Sequence, residues 1–321
     1  MVSSIDTFAQ LLAPMKPEVF FAEYFGRKPC YIPGPPHKFR GTMTWDVLSD
    51  LTSMTGIWSS ESLMMVSHTE KIPPQAYCVA GVDRRQANSL NPDPARVTAL
   101  LRQGASLVLN RLETLTPALR GLARVLEETL HAHTQINLYC SWENNKAFRP
   151  HEDTHDVFAL HCEGEKDWVV YEGMAPLPIN HPDHKLTPDQ REAIKGRPLM
   201  QVTMTPGDVL YIPRGQLHDA LAREGCVHLA CGTSRMLGMD LVTLVWRMAL
   251  ADPLFRSDVP AADGPTAGDQ GAYLGQVGER LARLVGSDAF REAVADYQKA
   301  NRAIRGEYRF PVTPEDKAAA E

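Results

Sequence analysis

The sequence RPHEDTHDVFALHC, residues 149–162, joins a polar cluster to a strand-like apolar run. His151, Asp153 and His155 lie at positions i, i+2 and i+4, at the entrance to the predicted strand. Side chains at this spacing project from the same face of an extended chain. An imidazole and a carboxylate at i and i+2 can converge on one cation, because such ligands lie about 2.0 to 2.2 Å from a first-row metal. The stretch is therefore a candidate metal site.

Five further strand-like runs accompany this one between residues 135 and 231. They are rich in β-branched and aromatic residues and are separated by turn-forming residues: QINLYC, DWVVYE, LMQVTM, DVLYIP and CVHLAC. Six short strands of this kind predict a sheet sandwich or a small barrel. Helical spacing follows an N-cap at Thr116 and returns beyond Met236. The predicted fold class is mainly β with flanking helices and a helical C-terminal appendage.

Composition limits the classes of function. The chain has 321 residues, of which 44% are hydrophobic, so it can bury a substantial core without disulfides. Its net charge of −6 removes the basic footprint of a general nucleic-acid binder. We see no secretory leader and no run of about 18 apolar residues, so we expect neither secretion nor membrane spanning. The six cysteines form no CxxC pair, and reduced thiols in a cytoplasm are the simplest interpretation.

The best candidate for a third metal ligand is His218, in GDVLYIPRGQLHDA, residues 207–220. A tight turn at Gly207, a strand over residues 209–212 and a loop shaped by Pro213 and Gly215 precede it. A jelly roll brings such a late strand beside an early one. Two histidines and one carboxylate form the facial triad of non-haem Fe(II) oxygenases, which leaves coordination positions open.

The other histidines carry weaker signals. His155 is a fourth ligand, a partner of a ligand or a residue facing the substrate; we prefer the last two, because a fourth protein ligand would block an open site. We expect the remaining candidates in helix-end and loop positions to be surface residues: His131, His133, His181 and His184.

These motifs resemble those of the JmjC-type Fe(II)- and 2-oxoglutarate-dependent oxygenases of the cupin superfamily, specifically the branch that contains the ribosomal oxygenases. The resemblance rests on motifs in order over about 100 residues: N-x-Y from Asn137, H-x-D-x-H-D-V-F from His151, E-G-E-K-x-W from Glu163 and GDVLYIPRGQLH from Gly207. The N-terminal segment FFAEYFGRKPCYIPG also looks like the opening of that branch.

The resemblance implies a double-stranded β-helix, or jelly roll, with its core at residues 135–235 of an oxygenase domain spanning residues 1–259. The family's metal ligands match His151, Asp153 and His218. Its cosubstrate-binding residues match Lys166, Tyr139 and Asn137.

Strand alternation by itself does not predict that Lys166 points towards the metal ligands. Strand alternation counted from His161 places Lys166 on the face opposite to the metal ligands, unless the turn at Gly164 changes the alternation, as a bulge would. Pointing inward, Lys166 would form a salt bridge with the distal carboxylate of 2-oxoglutarate, with the Tyr139 hydroxyl as second donor. Thr233 or Ser234 would supply a third hydrogen bond, and we assign Ser234.

The activity implied by the resemblance is hydroxylation of an amino-acid side chain in a protein or peptide. Fe(II) and 2-oxoglutarate serve as cofactor and cosubstrate, dioxygen is consumed, and succinate and CO2 are released. Two alternatives stay open: N-methyl-lysine demethylation by the same chemistry, and a cupin that binds a metal without turnover. We expect no direct nucleic-acid or membrane partner and a cytoplasmic location.

The Pro/Gly-rich break at residues 259–271 is the predicted linker, and residues 260–321 are predicted to form a helical region that could support a homodimer. About 50 residues follow the break. They are too few for the winged helix of the ribosomal oxygenases, so we expect that domain to be absent. Its absence would leave room for a smaller peptide substrate.

Overall fold

The computed structural model describes residues 5–82, 87–142 and 148–300. Its strands in these ranges are β1 (Cys30–Ile32), β2 (Leu63–Ser67), β3 (Glu70–Lys71), β4 (Cys78–Val82), β5 (Asn88–Pro92), β6 (Ser106–Leu109), β7 (Ala132–Ser141), β8 (Asp156–Glu163), β9 (Lys166–Met174), β10 (Pro198–Met204), β11 (Val209–Ile212), β12 (Gln216–Ala222) and β13 (Cys226–Arg235). Its α-helices are α1 (Phe8–Leu12), α2 (Pro17–Glu23), α3 (Trp45–Ser53), α4 (Pro94–Arg102), α5 (Pro117–Leu130), α6 (Pro188–Lys195), α7 (Gly238–Ala249), α8 (Gln270–Val285) and α9 (Asp288–Ala300).

Two sheets form the centre of the fold. The larger has eight strands in the order β1-β11-β8-β13-β7-β6-β2-β3, and the smaller has three in the order β10-β9-β12. All the neighbouring strands in both sheets are antiparallel. A short two-stranded sheet, β4-β5, lies apart from them. The predicted mainly β class with flanking helices is confirmed.

The residue alternation along β8 shows how the two faces of the large sheet differ. Phe158 and Leu160 join the main hydrophobic core, to which the N-terminal helices and α5 also contribute. Val157 and Ala159 face the other way and pack with Trp168 of β9 in a second core between the sheets. Burial on both faces explains why β8 reads as a continuous apolar run.

Helix α5 forms as the sequence predicts. The Thr116 hydroxyl accepts a hydrogen bond from the Leu119 N–H at 3.1 Å, and Pro117 occupies the first helical position. The leucines at helical spacing are buried against β7 and its neighbours. At the far end, the Glu127 carboxylate accepts a hydrogen bond from the Thr134 N–H at 3.0 Å. The helix therefore fixes the position of β7.

The strand β12 was not among the six strand-like runs predicted from the sequence, which gave only a loop shaped by Pro213 and Gly215 before His218. The turn at Pro213 and Gly215 is present, but His218 lies within a strand that pairs with β9, with His218 opposite Val170. The run QLHDALA was not recognised as a strand because His218 and Asp219 interrupt its apolar pattern. Both side chains are nevertheless buried. β12 is the edge strand of the smaller sheet and pairs with β9 on one side, while His151 forms an isolated antiparallel bridge to His218 on the other.

The C-terminal part of the described chain is helical, as predicted. Helix α7 packs against both α8 and α9, so the helix before the predicted linker contacts the two helices after it. Residues 301–321 of the predicted helical region lie outside the described residues. The helices that the structure describes include none long and apolar enough to cross a bilayer.

Gly164 occupies a backbone position that only glycine fits. Its φ is +67°, and a Cβ atom there would lie 2.1 Å from the Gly225 carbonyl oxygen. This turn joins β8 to β9 and precedes Lys166 by two residues. The left-handed turn is the change of alternation that an inward-facing Lys166 requires.

We expect Gly164→Ala to lower the free energy of unfolding by about 2 kcal/mol or more, because it combines left-handed strain with a steric clash. The matched control is Gly121→Ala in α5, where a Cβ atom would meet nothing within 4 Å. That change should stabilise the protein by about 0.5 to 1 kcal/mol. Urea denaturation followed by circular dichroism measures both. Equal effects of the two substitutions would contradict the assigned role of Gly164.

Candidate metal centre

The backbone holds the two candidate histidine ligands side by side. The His151 N–H donates to the His218 carbonyl at 3.0 Å, and the His218 N–H donates to the His151 carbonyl at 2.9 Å. The two imidazole centroids lie 4.5 Å apart. The Asp153 carbonyl accepts a hydrogen bond from the Gly215 N–H at 2.9 Å. The segment carrying His151 and Asp153 is therefore attached to the start of β12, although the two histidines are 67 positions apart in the sequence.

Each imidazole is also fixed in orientation. The Nδ1 atom of His151 lies 2.9 Å from the Arg149 carbonyl oxygen, and the Nδ1 atom of His218 lies 3.0 Å from the Gln216 carbonyl oxygen. Because a carbonyl oxygen can only accept, these contacts assign the proton to Nδ1 in both rings. Both Nε2 lone pairs are left available to a metal, in the arrangement that typically orients metal-binding histidines.

The three candidate ligands fit a divalent cation. One ligand atom from each of His151, Asp153 and His218 lies within 4.8 Å of the other two. The His218 Nε2 to Asp153 Oδ2 distance is 3.6 Å. Adjacent ligands at about 2.0 to 2.2 Å from one metal lie about 3 Å apart, so a small contraction would close the site. In the ranges that the structure describes, no other group of three such residues has this spacing.

The electrostatic surroundings favour the protonation states that a metal needs. Burial, together with the neighbouring His151, lowers the pKa of His218. Burial by itself would raise the pKa of Asp153, but the imidazoles of His218, His151 and His155 outweigh it and lower that pKa below its usual range. Neutral imidazoles and an ionised carboxylate are the forms that bind divalent metals.

The ligands form part of the wall of a cavity of about 120 Å³ between the two sheets. Polar residues from five segments line it together with a few apolar ones: Gln135, Asn137, Tyr139, Phe148, His151, Asp153, His155, Val157, Lys166, Trp168, His218, Ala220, His228, Ala230 and Gly232. The cavity is too small for a folded partner and suits a small molecule.

Lys166 reaches this cavity, as an inward orientation requires. Its side chain is 3% exposed. No described residue gives its ammonium group an ion pair or a hydrogen bond. Burial lowers the pKa of Lys166, and the neighbouring Cys226 and Cys140 thiols oppose that shift. A buried ammonium without an anion is costly, so this position calls for a negatively charged ligand.

Tyr139 and Asn137 also line the cavity. Burial, reinforced by the Asp153 carboxylate, raises the pKa of Tyr139 to about 12, so its hydroxyl stays protonated and can donate a hydrogen bond. The Asn137 Oδ1 atom accepts from the Arg111 N–H and from the Gln135 side chain, both at 3.1 Å. Asn137 is thus held in place two residues before Tyr139, on the same face of β7.

The structure does not bring Ser234 or Thr233 into the cavity. Ser234 is exposed, and the buried Thr233 hydroxyl donates to the Asp156 carbonyl at 3.4 Å. Both line a separate surface depression of about 530 Å³. The expected third donor fails because Ala230 and Gly232 occupy the cavity-facing positions of β13.

His155 lies between the cavity and this depression, since it lines both. Its imidazole packs directly against the backbone of Gly232, where a Cβ atom would lie 2.6 Å from the ring. This position agrees with a residue that faces the substrate. Of the histidines expected at the surface, His131, His181 and His184 are exposed and His133 is half-buried.

His228 and Trp168 line the cavity but were not proposed as site residues from the sequence. His228 and Trp168 are 4% and 5% exposed, and both line the cavity beside Lys166. His228 could have been noticed from its position inside the apolar run CVHLAC, because a histidine is unusual on a buried strand face.

Residues 110–241 match the family model of the JmjC domain. The bifunctional lysine-specific demethylase and histidyl-hydroxylase NO66 of Drosophila willistoni is 27% identical over 221 residues, which are 67% of this chain and 26% of that protein. Ribosomal oxygenase 1 of Rattus norvegicus is 28% identical over 236 residues, which are 70% of this chain and 36% of that protein. The chain thus spans about a quarter to a third of the length of these curated relatives.

Among solved structures, the Escherichia coli ribosomal oxygenase YcfD in complex with cobalt and 2-oxoglutarate superposes with a TM-score of 0.61 at 16% identity. The match covers 96% of this chain and 78% of that one. At this identity the likeness is one of fold, and it agrees with the double-stranded β-helix expected from the sequence.

We expect Asp153→Ala to weaken binding of Co(II) by at least about 100-fold, because it removes the one charged ligand of the three. His151→Ala should act in the same direction. The exposed His181 provides the control, and His181→Ala should bind Co(II) like the unaltered protein. Isothermal titration calorimetry with the metal alone measures all three. Unchanged affinity in the Asp153 and His151 variants would refute the metal assignment.

Proposed function

We propose that this chain, which contains a JmjC domain, is an Fe(II)- and 2-oxoglutarate-dependent oxygenase that hydroxylates an amino-acid side chain in a protein or peptide. His151, Asp153 and His218 would hold the iron. Lys166 and Tyr139 would bind the cosubstrate at the buried end of the same cavity. Bound iron would supply the oxidation of the substrate by dioxygen, coupled to decarboxylation of 2-oxoglutarate to succinate and CO2.

The observation that carries this proposal is the pairing of two features in one small cavity. A facial set of two histidines and one carboxylate leaves open coordination positions for a chelating ligand. The ammonium group of Lys166 has no counter-ion among the described residues, although it is buried. A small molecule with a metal-chelating group at one end and a carboxylate at the other satisfies both, and 2-oxoglutarate is such a molecule.

The protein's own residues position and shield this ligand. Lys166 provides a charge-assisted hydrogen bond, which is stronger than a neutral one, and the protonated Tyr139 hydroxyl provides a second donor. Val157, Ala220 and Ala230 line the cavity with apolar surface, which excludes water and strengthens the electrostatic contacts.

The names of the relatives support a protein substrate. The Drosophila protein is named both as a histidyl-hydroxylase and as a lysine-specific demethylase, so demethylation of an N-methyl-lysine is the second candidate function. Both reactions would consume 2-oxoglutarate, but only demethylation would release formaldehyde. The position of His155, between the cavity and the outer depression, supports substrate entry from that side.

The proposal extends to location and assembly. All six cysteines are buried and free, which suits the reducing cytoplasm. Four apolar residues along α7 and at its C-cap repeat at helical spacing and are 53% to 69% exposed: Met239, Val242, Trp246 and Leu250. An apolar stripe of this kind on the surface is typical of an interface. We therefore assign a homodimer contact to α7, which packs against α8 and α9 of the C-terminal region predicted to support a dimer.

Lys166→Met tests the cosubstrate site. The change removes the charge and nearly preserves the shape, so we expect the apparent requirement for 2-oxoglutarate to rise about 10- to 150-fold, as expected for loss of one charge-assisted hydrogen bond. Without ligand, the unfolding free energy should be unchanged or higher, because a buried unpaired ammonium is lost. Succinate formation with Fe(II) and ascorbate measures the first effect.

The result for the unaltered protein decides between an oxygenase and a cupin that only binds metal. Succinate formation without a prime substrate supports an oxygenase. Neither succinate nor a 2-oxoglutarate-dependent thermal shift would favour a cupin that only binds metal. An unchanged 2-oxoglutarate requirement in Lys166→Met would remove Lys166 from the site.

Trp246→Glu tests the α7 interface. We expect a dimer in the unaltered protein and a monomer in this variant, because a charge in an apolar contact is strongly disfavoured. Leu199→Glu is the control. Leu199 is an exposed apolar residue like Trp246, but it lies on β10 and not on α7. Light scattering after size exclusion reports the mass. A monomeric unaltered protein, or a dimeric Trp246→Glu variant, would contradict the assignment.

A further inference from the structure

His228 lines the cavity and is packed between two aromatic side chains. Its ring stacks on the Tyr139 ring with centroids 4.9 Å apart and planes 10° apart. The Trp168 ring packs edge-on against it, with centroids 5.3 Å apart and planes at 82°. Tyr139 and His228 are also directly paired across strands β7 and β13. The plane of the imidazole is therefore fixed, and the ring lines the same cavity as Lys166.

The hydrogen-bonding capacity of this ring is not met by the protein. The Nδ1 atom of His228 is buried and finds no hydrogen-bond partner in the described part of the chain, and the same holds for the Trp168 Nε1 atom. A buried polar group without a partner is costly and needs an explanation. No carboxylate of the described residues forms an ion pair with Lys166. The positive charge of Lys166 is therefore not neutralised, and it disfavours a second positive charge on the His228 imidazole.

The protonation of His228 follows from these neighbours. Burial and the Lys166 ammonium lower the pKa of His228 well below its usual range, so the ring is neutral and carries one proton. An unmet acceptor is tolerated better than an unmet donor. The tautomer with the bare nitrogen at the partnerless Nδ1 is therefore preferred, and the proton lies on Nε2.

We propose that His228 is a specificity-determining residue of the cosubstrate site, whose Nε2–H acts together with the Lys166 ammonium of the same cavity to select a ligand with a distal carboxylate. The proposal rests on the proposed function and extends it to a residue outside the motifs. A carboxylate has two oxygens, and one can accept from Lys166 while the other accepts from His228. A ligand without that group would leave both donors unmet, which disfavours its binding.

The test compares two 2-oxo acids that share the chelating end. 2-Oxoglutarate carries the distal carboxylate, and 2-oxopentanoate has the same carbon chain with a methyl group in its place. Binding of each to the Co(II)-loaded protein is measured by isothermal titration calorimetry, which needs no turnover. In His228→Phe, which keeps the aromatic stacking but has no donor, we expect 2-oxoglutarate to bind about tenfold more weakly or worse, and 2-oxopentanoate to bind as before.

His228→Gln is the matched rescue variant, because its amide N–H can replace Nε2–H. It should keep most of the preference for 2-oxoglutarate. If His228→Phe does not fold, His228→Leu, which also lacks a donor, replaces it. Melting temperature and Co(II) affinity of each variant show whether the fold and the metal site are intact.

The outcomes separate the two proposals. An unaltered protein that binds Co(II) but not 2-oxoglutarate would overturn the proposed function and this inference together. Normal 2-oxoglutarate binding in a folded variant without the donor would overturn the role of His228 alone. Equal weakening of both 2-oxo acids would also overturn it, since His228 would then act on the chelating end or on the fold.

Discussion

The reciprocal pair of backbone hydrogen bonds between His151 and His218 is the constraint on which the rest of the site depends. It brings together two chain segments that belong to different sheets, since His151 leads into β8 and His218 lies on β12. Side-chain contacts alone would have to order these segments at a large entropic cost. Here the backbone orders them before any ligand binds, and the carbonyls of Arg149 and Gln216 complete the arrangement by orienting both rings.

The polar groups around Lys166 differ from those around the candidate metal ligands in how far their hydrogen bonds are satisfied. Around the candidate ligands, polar atoms are held by the backbone and little is left unmet. Around Lys166, His228 and Trp168, polar groups are buried without partners in the described protein, among them the Lys166 ammonium and the Trp168 Nε1–H donor. Such an arrangement lowers the stability of the protein by itself and raises its affinity for an anion that supplies the acceptors. The two ends together define a ligand that chelates at one end and is negatively charged at the other.

Much of the fold and part of the site could be predicted from the sequence, and the differences have physical causes. Apolar runs and the N-cap at Thr116 are local signals, and both led to elements that the structure contains. Strand β12 was hidden because the buried polar residues His218 and Asp219 occupy positions where a strand pattern would have apolar residues. Ser234 failed because strand alternation alone does not tell where a cavity ends: Ser234 follows Gly232 on the same face of β13 but lies at the surface. The inward orientation of Lys166 depended on one left-handed glycine, which sequence spacing could only suggest.

The contact between His155 and Gly232 limits how this cavity can change during evolution. Any side chain at position 232 would collide with the imidazole, so the two positions must vary together. That pair forms part of the boundary between the inner cavity and the outer depression, and neither residue is one of the three candidate metal ligands. A lineage could therefore reshape the entrance by exchanging this pair while its metal centre stays unchanged. New substrates would become accessible through a double substitution, and each single substitution would be an unfavourable intermediate.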